Sequence, residues 1–146
     1  MRYLFLFIVI NISLFADESI YKVCTLYKTA SVINGNISNI TDYKERDVKL
    51  FTEGFEVPFI MTKKELSYGL RTNPDYFYKY SYTTKEGAYI YEDVDYGTIS
   101  YSPINDFLIF NHKRYGTISN IDFYKCKEPS FLIEKQMQSI KMLYMK

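Results

Sequence analysis

The sequence predicts a mainly β protein, a small antiparallel barrel or sandwich with one α-helix at its C-terminus. Three observations predict this fold class. Apolar and polar residues alternate with a period of two along most of the chain. The apolar runs are short, and turn-forming residues separate them at intervals of about ten residues. After Pro129 the apolar period changes to that of an amphipathic helix.

The chain length supports a single domain. It has 146 residues, and one hydrophobic core typically serves about 100 to 200 residues. With 47% hydrophobic, 18% aromatic and 24% charged residues, the composition excludes a disordered tail, a collagen-like fibre and a polytopic membrane protein. The 18 basic residues nearly balance the 17 acidic ones, so we expect no nucleic-acid partner.

The first sixteen residues are predicted to be a secretory signal peptide. Arg2 gives a positive start, an apolar stretch follows, and Ala16 precedes the acidic Asp17. The uncharged stretch from residue 3 to residue 16 would form a helix of about 21 Å, shorter than a bilayer core of roughly 30 Å. We therefore expect cleavage after Ala16 and a single periplasmic or secreted domain, residues 17–146, without a stable membrane span. An uncleaved membrane anchor is the alternative.

Cys24 and Cys126 are predicted to form a disulfide that ties the first strand to the last. An even number of cysteines in an exported chain favours a bridge, because the destination is oxidising. The alternative, a reactive thiol pair, lacks the C-x-x-C spacing. One histidine and two distant cysteines also do not form a tetrahedral zinc site. We therefore predict no metal and no cofactor.

The predicted strands lie between about residues 20 and 126. The turn signals Asn34-Gly35-Asn36 and Asn73-Pro74-Asp75 separate some of them. Many short strands with such spacing favour an antiparallel barrel or sandwich over βαβ units. Seven to nine short strands are predicted, from the segments 21–28, 47–51, 55–57, 59–62, 76–82, 88–92, 98–101, 107–110, and 117–119 running on to 123–126.

A C-terminal helix is predicted over about residues 130–145, with Ser130 as its N-cap. We expect it to pack on the barrel or on an open end of the barrel, because an apolar stripe on a helix usually faces its own core. The alternative is a helix that binds a partner or a membrane surface. The predicted stripe contains Leu132 or Ile133, Gln136 or Met137, Ile140, and Leu143 or Tyr144.

In general layout the chain resembles a small calycin-type barrel. The resemblance rests on the apolar N-terminal segment, about eight short strands, the late Cys126 and the terminal helix. The chain lacks the glycine-aromatic signature that such ligand carriers usually have near the first strand. The resemblance therefore implies an architecture and does not identify a ligand.

Tyrosine is the most unusual feature of the composition, with 16 Tyr and 11 Phe but no Trp. Tyr76, Tyr78, Tyr80 and Tyr82 alternate along one predicted strand, which would place all four on one face as a continuous ladder. Tyrosine is enriched at recognition surfaces, because it combines a large apolar ring with a polar hydroxyl. We predict this ladder as the partner-binding site. The alternative is that the rings only cover a half-exposed sheet face.

The sequence shows no catalytic motif, so we predict a protein without enzymatic activity. The only histidine, His112, lies in a predicted polar hairpin tip. Glu92, Asp93 and Asp95 form the densest acidic patch, but a calcium loop that starts at Asp93 would have Ile104 where its bidentate glutamate belongs. A small hydrolase that uses these carboxylates is the least favoured alternative.

The sequence thus predicts a small exported non-enzymatic protein that binds a partner through a tyrosine-rich sheet face. The partner would be a small hydrophobic ligand, a glycan, a peptide or an envelope protein. The main alternative is an envelope-associated structural or interaction protein that uses its C-terminal amphipathic helix.

Overall fold

A computed structural model describes residues 18–42, 56–70, 72–113 and 118–145 of the chain. Nine strands and one α-helix lie in these ranges, and a short 3₁₀ helix, Pro74–Tyr76, precedes the fifth strand. The elements are β1 (Ile20–Ile33), β2 (Asn36–Asp42), β3 (Glu56–Met61), β4 (Glu65–Tyr68), β5 (Tyr78–Thr83), β6 (Tyr89–Asp93), β7 (Gly97–Ser102), β8 (Phe107–His112), β9 (Ile118–Lys127) and α1 (Phe131–Tyr144).

Some predicted elements lie outside the described residues. These are the signal peptide, the strand at residues 47–51 and parts of the strands at 55–57 and 117–119.

Eight of the strands form a closed antiparallel barrel. Strands β3 to β9 pair in chain order, and β9 returns to pair with β1, which pairs with β3 on its other edge. Closure gives every barrel strand a neighbour on both sides, which removes the exposed edges of an open sheet. The predicted mainly β fold with a C-terminal helix is confirmed. The ring of pairings also decides in favour of the barrel over the sandwich.

The first strand is long enough to pair with two strands along one edge. Its residues Ile20–Thr25 pair with β3, and its residues Lys28–Ile33 pair with β2. Strand β2 therefore lies outside the barrel as the second arm of a hairpin. The hairpin turns at Asn34 and Gly35, whose φ angles of 52° and 79° suit the tight turn that joins two antiparallel strands.

The barrel interior is filled by large side chains from alternating strand positions. Along β8, Leu108 and Phe110 are buried in the core, whereas Phe107 and Ile109 are only half-buried. Eight strands enclose a space that side chains can fill completely. The interior cluster consists of Cys24, Phe59, Met61, Leu66, Tyr78, Tyr91, Ile99, Tyr101, Leu108, Phe110 and Tyr124.

Helix α1 packs on the outer wall of the barrel. Met137 is fully buried in a second apolar cluster that contains Ile60 of β3, Phe77 and Met145. The half-buried Tyr21, Ile133 and Ile140 border this cluster. The sequence left open whether the helix packs on the barrel or on its open end. In the structure it packs on the barrel wall.

The disulfide lies where the barrel closes. Cys24 of β1 and Cys126 of β9 are directly opposite each other, with their Cα atoms 4.0 Å apart. Cys24 is fully buried in the core, and Cys126 packs against the same cluster. The bond therefore joins the first and last strands of the ring, and it is the pairing that the sequence predicts.

Candidate binding face

The four tyrosines of the predicted ladder do not share one face. Tyr78 is 1% exposed and lies in the barrel core, whereas Tyr82 is 52% exposed. Tyr80 packs against the core cluster from its margin. Tyr76 lies in the 3₁₀ helix before β5, where its ring contacts that of Tyr96 at 5.6 Å. The prediction of a continuous ladder on one face is therefore wrong.

A β-bulge in β5 is the physical reason. Tyr80 lies opposite the core residue Tyr91, but Tyr82 lies opposite Ile90, the neighbour of Tyr91 in β6. The extra residue, Ser81, shifts the register, and neighbouring residues of β6 point to opposite sides of the sheet. The bulge therefore turns Tyr82 away from the side that Tyr78 and Tyr80 share.

The barrel end next to Tyr80 offers little space. Tyr80, Tyr89 and Tyr91 line a cleft of about 50 Å³ together with Ile20 and Met61. Pockets that hold small organic ligands measure roughly 300 to 1,000 Å³. A hydrophobic ligand at this end would have to displace side chains of the core.

Three aromatic rings outside the predicted ladder lie together on the outer wall of the barrel, within the part of the chain that the structure describes. Tyr27 of β1, Phe107 of β8 and Phe123 of β9 are half-buried and contact one another. The ring centroids are 5.7 Å apart for Tyr27 and Phe107, and 6.4 Å apart for each of the other two pairs. We call these three residues the outer aromatic cluster.

Strand phase and a second bulge bring the cluster together. Leu108 and Tyr124 point into the core, so Phe107 and Phe123, one position earlier, point outward. In β1 the register shifts between Leu26 and Lys28, which leaves Tyr27 as the extra residue opposite β9. The bulge thus allows the Tyr27 ring to reach both phenylalanines. The half-buried Ile109 and Ile121 extend the apolar surface on the same side of these strands.

Charged groups border the outer aromatic cluster. The Lys125 ammonium lies 5.1 Å from the centre of the Tyr27 ring, a cation–π contact. Lys28 forms an ion pair with Asp42 of β2, with 3.4 Å between Nζ and Oδ1. Burial raises the pKa of Tyr27, and Lys28 only partly opposes that rise. The phenol therefore stays protonated at neutral pH and can donate a hydrogen bond to a bound partner.

His112 does not lie in a solvated hairpin tip. It ends β8, where its Nε2 is 2.6 Å from Oδ2 of Asp122 and its ring stacks on Phe110 at 3.7 Å. Thr29 donates a hydrogen bond of 2.8 Å to Oδ1 of Asp122. These contacts orient the imidazole at the rim of an open cleft of about 640 Å³. Glu92, Asp93, Thr98 and Ser119 line the same cleft.

The predicted acidic patch builds a turn. The Asp93 carboxylate accepts hydrogen bonds from the backbone N–H groups of Asp95 and Tyr96, at 2.8 and 2.9 Å. This geometry is typical of an aspartate that fixes a tight turn. Within the described ranges, no group of three or more His, Cys, Asp or Glu residues could hold a metal ion.

An ion-pair network around the buried Lys22 fixes part of the barrel wall. Lys22 of β1 is 8% exposed, and its ammonium is 2.9 Å from Oδ1 of Asp106 and also pairs with Glu128. The Tyr101 hydroxyl donates a hydrogen bond of 2.7 Å to Oδ1 of Asp106. Burial on its own would raise the pKa of Asp106, but the hydrogen bonds from Tyr101 and Lys22 hold it below its ordinary value. The network therefore stabilises the ionised form of Asp106.

We expect Asp106→Asn to reduce the loss of stability at acidic pH. Because the pKa of Asp106 is lowered on folding, its ionised form stabilises the fold above the ordinary value of 3.8, and this contribution disappears as the pH falls through the lowered pKa. Urea unfolding at pH 7, 4 and 2 should show that the free energy of unfolding falls less in Asp106→Asn than in the wild type. The difference should be about 1 kcal/mol at most, because the Asp106 carboxylate is partly exposed. Asp95→Asn, in the exposed β6–β7 turn, is the control and should follow the wild-type pH profile. Equal profiles for all three proteins would contradict this role of Asp106.

The architecture defines the class of protein as a closed eight-stranded antiparallel barrel with an outer strand and a C-terminal helix on its wall. Comparisons with protein-family models, curated proteins and solved structures found no match. No helix within the described ranges is long and apolar enough to cross a membrane. The disulfide is compatible with an exported protein.

Proposed function

We propose that this chain is a small exported binding protein without enzymatic activity and that it contacts its partner through the outer aromatic cluster. The observation that carries the proposal is the mutual contact of Tyr27, Phe107 and Phe123 on the outside of a filled barrel. Aromatic side chains supply much of the binding energy at interfaces, because each ring buries a large area at small entropic cost. The Cys24–Cys126 disulfide supports export.

The ring orientations favour a peptide or protein partner over a glycan. Tyr27 is inclined by 57° to both phenylalanines, and Phe107 and Phe123 are inclined by 45° to each other. Rings at such angles form an uneven apolar surface into which side chains of a partner can insert. A glycan that stacked flat on two or more of these rings at once would need them in one plane, which these inclinations do not provide. We therefore propose an envelope protein or peptide with exposed apolar side chains as the partner.

The experiment compares a cluster variant with a matched tyrosine variant. The wild type, Tyr27→Ala with Phe123→Ala, and Tyr82→Ala are used to capture partners from the native envelope or medium. Affinities are then measured with each purified partner. Tyr82 is a suitable control because it lies on another outward strand position and is 52% exposed. We expect the cluster variant to lose at least about tenfold in affinity, as is typical when interface aromatics are truncated, and Tyr82→Ala to bind like the wild type.

Thermal unfolding of all three proteins separates lost binding from lost folding. The cluster rings lie outside the core cluster, so the variants should remain folded. The proposal is wrong if the folded cluster variant keeps every partner of the wild type. Binding of purified envelope glycans that depends on the cluster would instead assign the face to a glycan.

A second candidate function uses helix α1 in an envelope-associated interaction protein. Most of the predicted stripe is already occupied, because Ile133, Met137 and Ile140 pack against the barrel. Leu132 and Leu143 of that stripe face away from the barrel and are 74% and 69% exposed. The specific observation that favours this candidate is therefore the solvent side of α1 and not its buried side.

A further inference from the structure

The apolar surface around the outer aromatic cluster continues across four strands. Directly opposite residues of neighbouring strands lie on the same side of a sheet. Ile121, on the outer side of β9, lies opposite Ala30 of β1, and Ala30 lies opposite Ile40 of β2. Two residues further along β1, Val32 lies opposite Ile37 of β2. The outer side of the sheet is therefore apolar from the cluster as far as the hairpin arm β2.

This apolar surface is about 20 Å long. Lys125 and Ser119 mark its two ends along β9, and they are six residues apart at roughly 3.4 Å per residue. At the far end, Ile37 and Ile40 are 65% and 59% exposed. The surface is thus long enough for about six residues of an extended partner segment. We call it the outer apolar face, and it consists of the outer aromatic cluster together with Ala30, Val32, Ile37, Ile40, Ile109 and Ile121.

One end of the outer apolar face carries two hydrogen-bond donors for a partner. The exposed Lys125 places its ammonium 5.1 Å from the centre of the Tyr27 ring. Within the ranges that the structure describes, no carboxylate pairs with this ammonium, whereas the neighbouring Lys28 and Lys127 each pair with an acidic residue. The Tyr27 hydroxyl likewise donates no hydrogen bond to a described residue. An anionic acceptor on the partner would suit both donors.

We propose that the partner binds through a segment that is apolar along its length and carries a carboxylate at one end. Lys125 pairs with that carboxylate, and the apolar side chains lie along the outer apolar face toward Ile37 and Ile40. This inference rests on the proposed function, because it names the chemistry of the partner at the same site. The strand residues that border the far end, Asn111 and Ser119, are neutral, so the charge favours one orientation of the segment.

An acidic peptide segment fits this face better than a fatty acid, which also joins a carboxylate to an apolar chain. Small apolar ligands bind in pockets of roughly 300 to 1,000 Å³ that enclose most of their surface. The barrel interior is filled, and the cleft next to Tyr80 measures only about 50 Å³. The outer apolar face is an open sheet surface, which a protein segment can cover but which cannot enclose an acyl chain.

Random linear peptides displayed on phage are the probe for the chemistry of the face. They are selected in parallel on the wild type and on Tyr27→Ala with Phe123→Ala, and only peptides that depend on the cluster are kept. We expect these peptides to combine apolar residues with Asp or Glu. Cluster-dependent peptides without enriched acidic residues would overturn the inference and leave the proposed function intact. A selection that yields no cluster-dependent peptide would also overturn it, whereas capture of envelope partners decides the proposed function separately.

Charge variants of Lys125 test the ion pair with the selected peptides. Lys125→Met removes the ammonium but keeps an unbranched side chain beside the Tyr27 ring, and it should weaken binding about fivefold. Lys125→Glu brings like charges together and should weaken binding about tenfold or more. Lys135→Met is the matched control, because its ammonium lies 4.5 Å from the centre of the Phe131 ring on helix α1. It should bind like the wild type.

Salt and peptide substitution separate the ion pair from a merely structural role of Lys125. Rising salt should weaken peptide binding to the wild type more than to Lys125→Met. Peptides with Asn or Gln in place of the acidic residue should bind both proteins equally. Thermal unfolding should show every variant folded, since Lys125 is exposed. Equal affinity of the acidic peptides for the wild type and Lys125→Met would overturn the inference, and so would their displacement by decanoate, which would assign the face to a fatty acid.

Discussion

Removal of the Cys24–Cys126 disulfide is expected to lower the free energy of unfolding by up to about 4.7 kcal/mol. The bond links residues 102 positions apart, and the chain-entropy model assigns this amount to a closed loop of about 100 residues. Single domains of this size are typically stable by only about 5 to 15 kcal/mol. The bridge therefore supplies a large share of the total, and its loss should lower the melting temperature by roughly 15 °C.

Two independent ways of breaking the bond make this prediction specific. Cys24→Ala with Cys126→Ala removes the cross-link together with part of the core volume, whereas chemical reduction of the wild type leaves both side chains in place. Chemical unfolding of the oxidised, reduced and substituted proteins measures each effect. We expect reduction alone to produce most of the loss. A reduced protein within 1 kcal/mol of the oxidised one would contradict a stabilising role for the bridge.

The position of the disulfide also shows which parts of the fold a sequence can reveal. The alternation of apolar residues along β8 and β9 is local, and it predicts strands without reference to other parts of the chain. Closure depends on the pairing of β1 with β9, two strands about a hundred residues apart, and no local pattern specifies that pairing. Cys24 and Cys126 were the one long-range signal in the sequence, and they join these two strands.

The candidate site was harder to predict because bulges determine which aromatic rings point outward. The prediction of a tyrosine ladder in β5 assumes an unbroken period of two, and the extra residue Ser81 breaks that period. Phe107 lies in a run of four apolar residues, which gives no alternation to show which side is buried. In β9 a signal was present, because Cys126 facing the core places Tyr124 inside and Phe123 outside. The bulge that brings Tyr27 to Phe123 had no equivalent signal.

The C-terminal helix was the easiest element to predict, but the residues on its solvent side were the hardest to identify. The helical period and the buried stripe through Met137 follow from local spacing. The same spacing leaves Leu132 or Ile133 as alternatives for the stripe, and only the contact with β3 decides for Ile133. Phe131, Leu132, Met142 and Leu143 then lie on the solvent side, where each is well exposed.

Gly97→Ala is expected to destabilise the protein by about 3 kcal/mol or more, because the paired strand β8 lies directly against this residue. A Cβ atom at Gly97 would lie 2.0 Å from the backbone oxygen of Asn111 and 2.8 Å from the backbone nitrogen of Lys113. These are backbone atoms of β8 and of the residue that follows it, so relief requires the β7–β8 pairing itself to shift. Gly97 also has a φ of 121°, which L-residues rarely adopt.

Gly35→Ala separates the steric part of this effect from the backbone part. Gly35 also has a positive φ, 79°, but nothing lies within 4 Å of the position of an added Cβ atom. Gly35→Ala should therefore lower the free energy of unfolding only by the conformational penalty of a positive φ, about 1 to 2 kcal/mol. Urea unfolding of both variants measures the difference, which we attribute to the contact with Asn111. If Gly97→Ala and Gly35→Ala lowered the free energy of unfolding equally, the contact with Asn111 would not constrain residue 97, and the steric part of this prediction would be wrong.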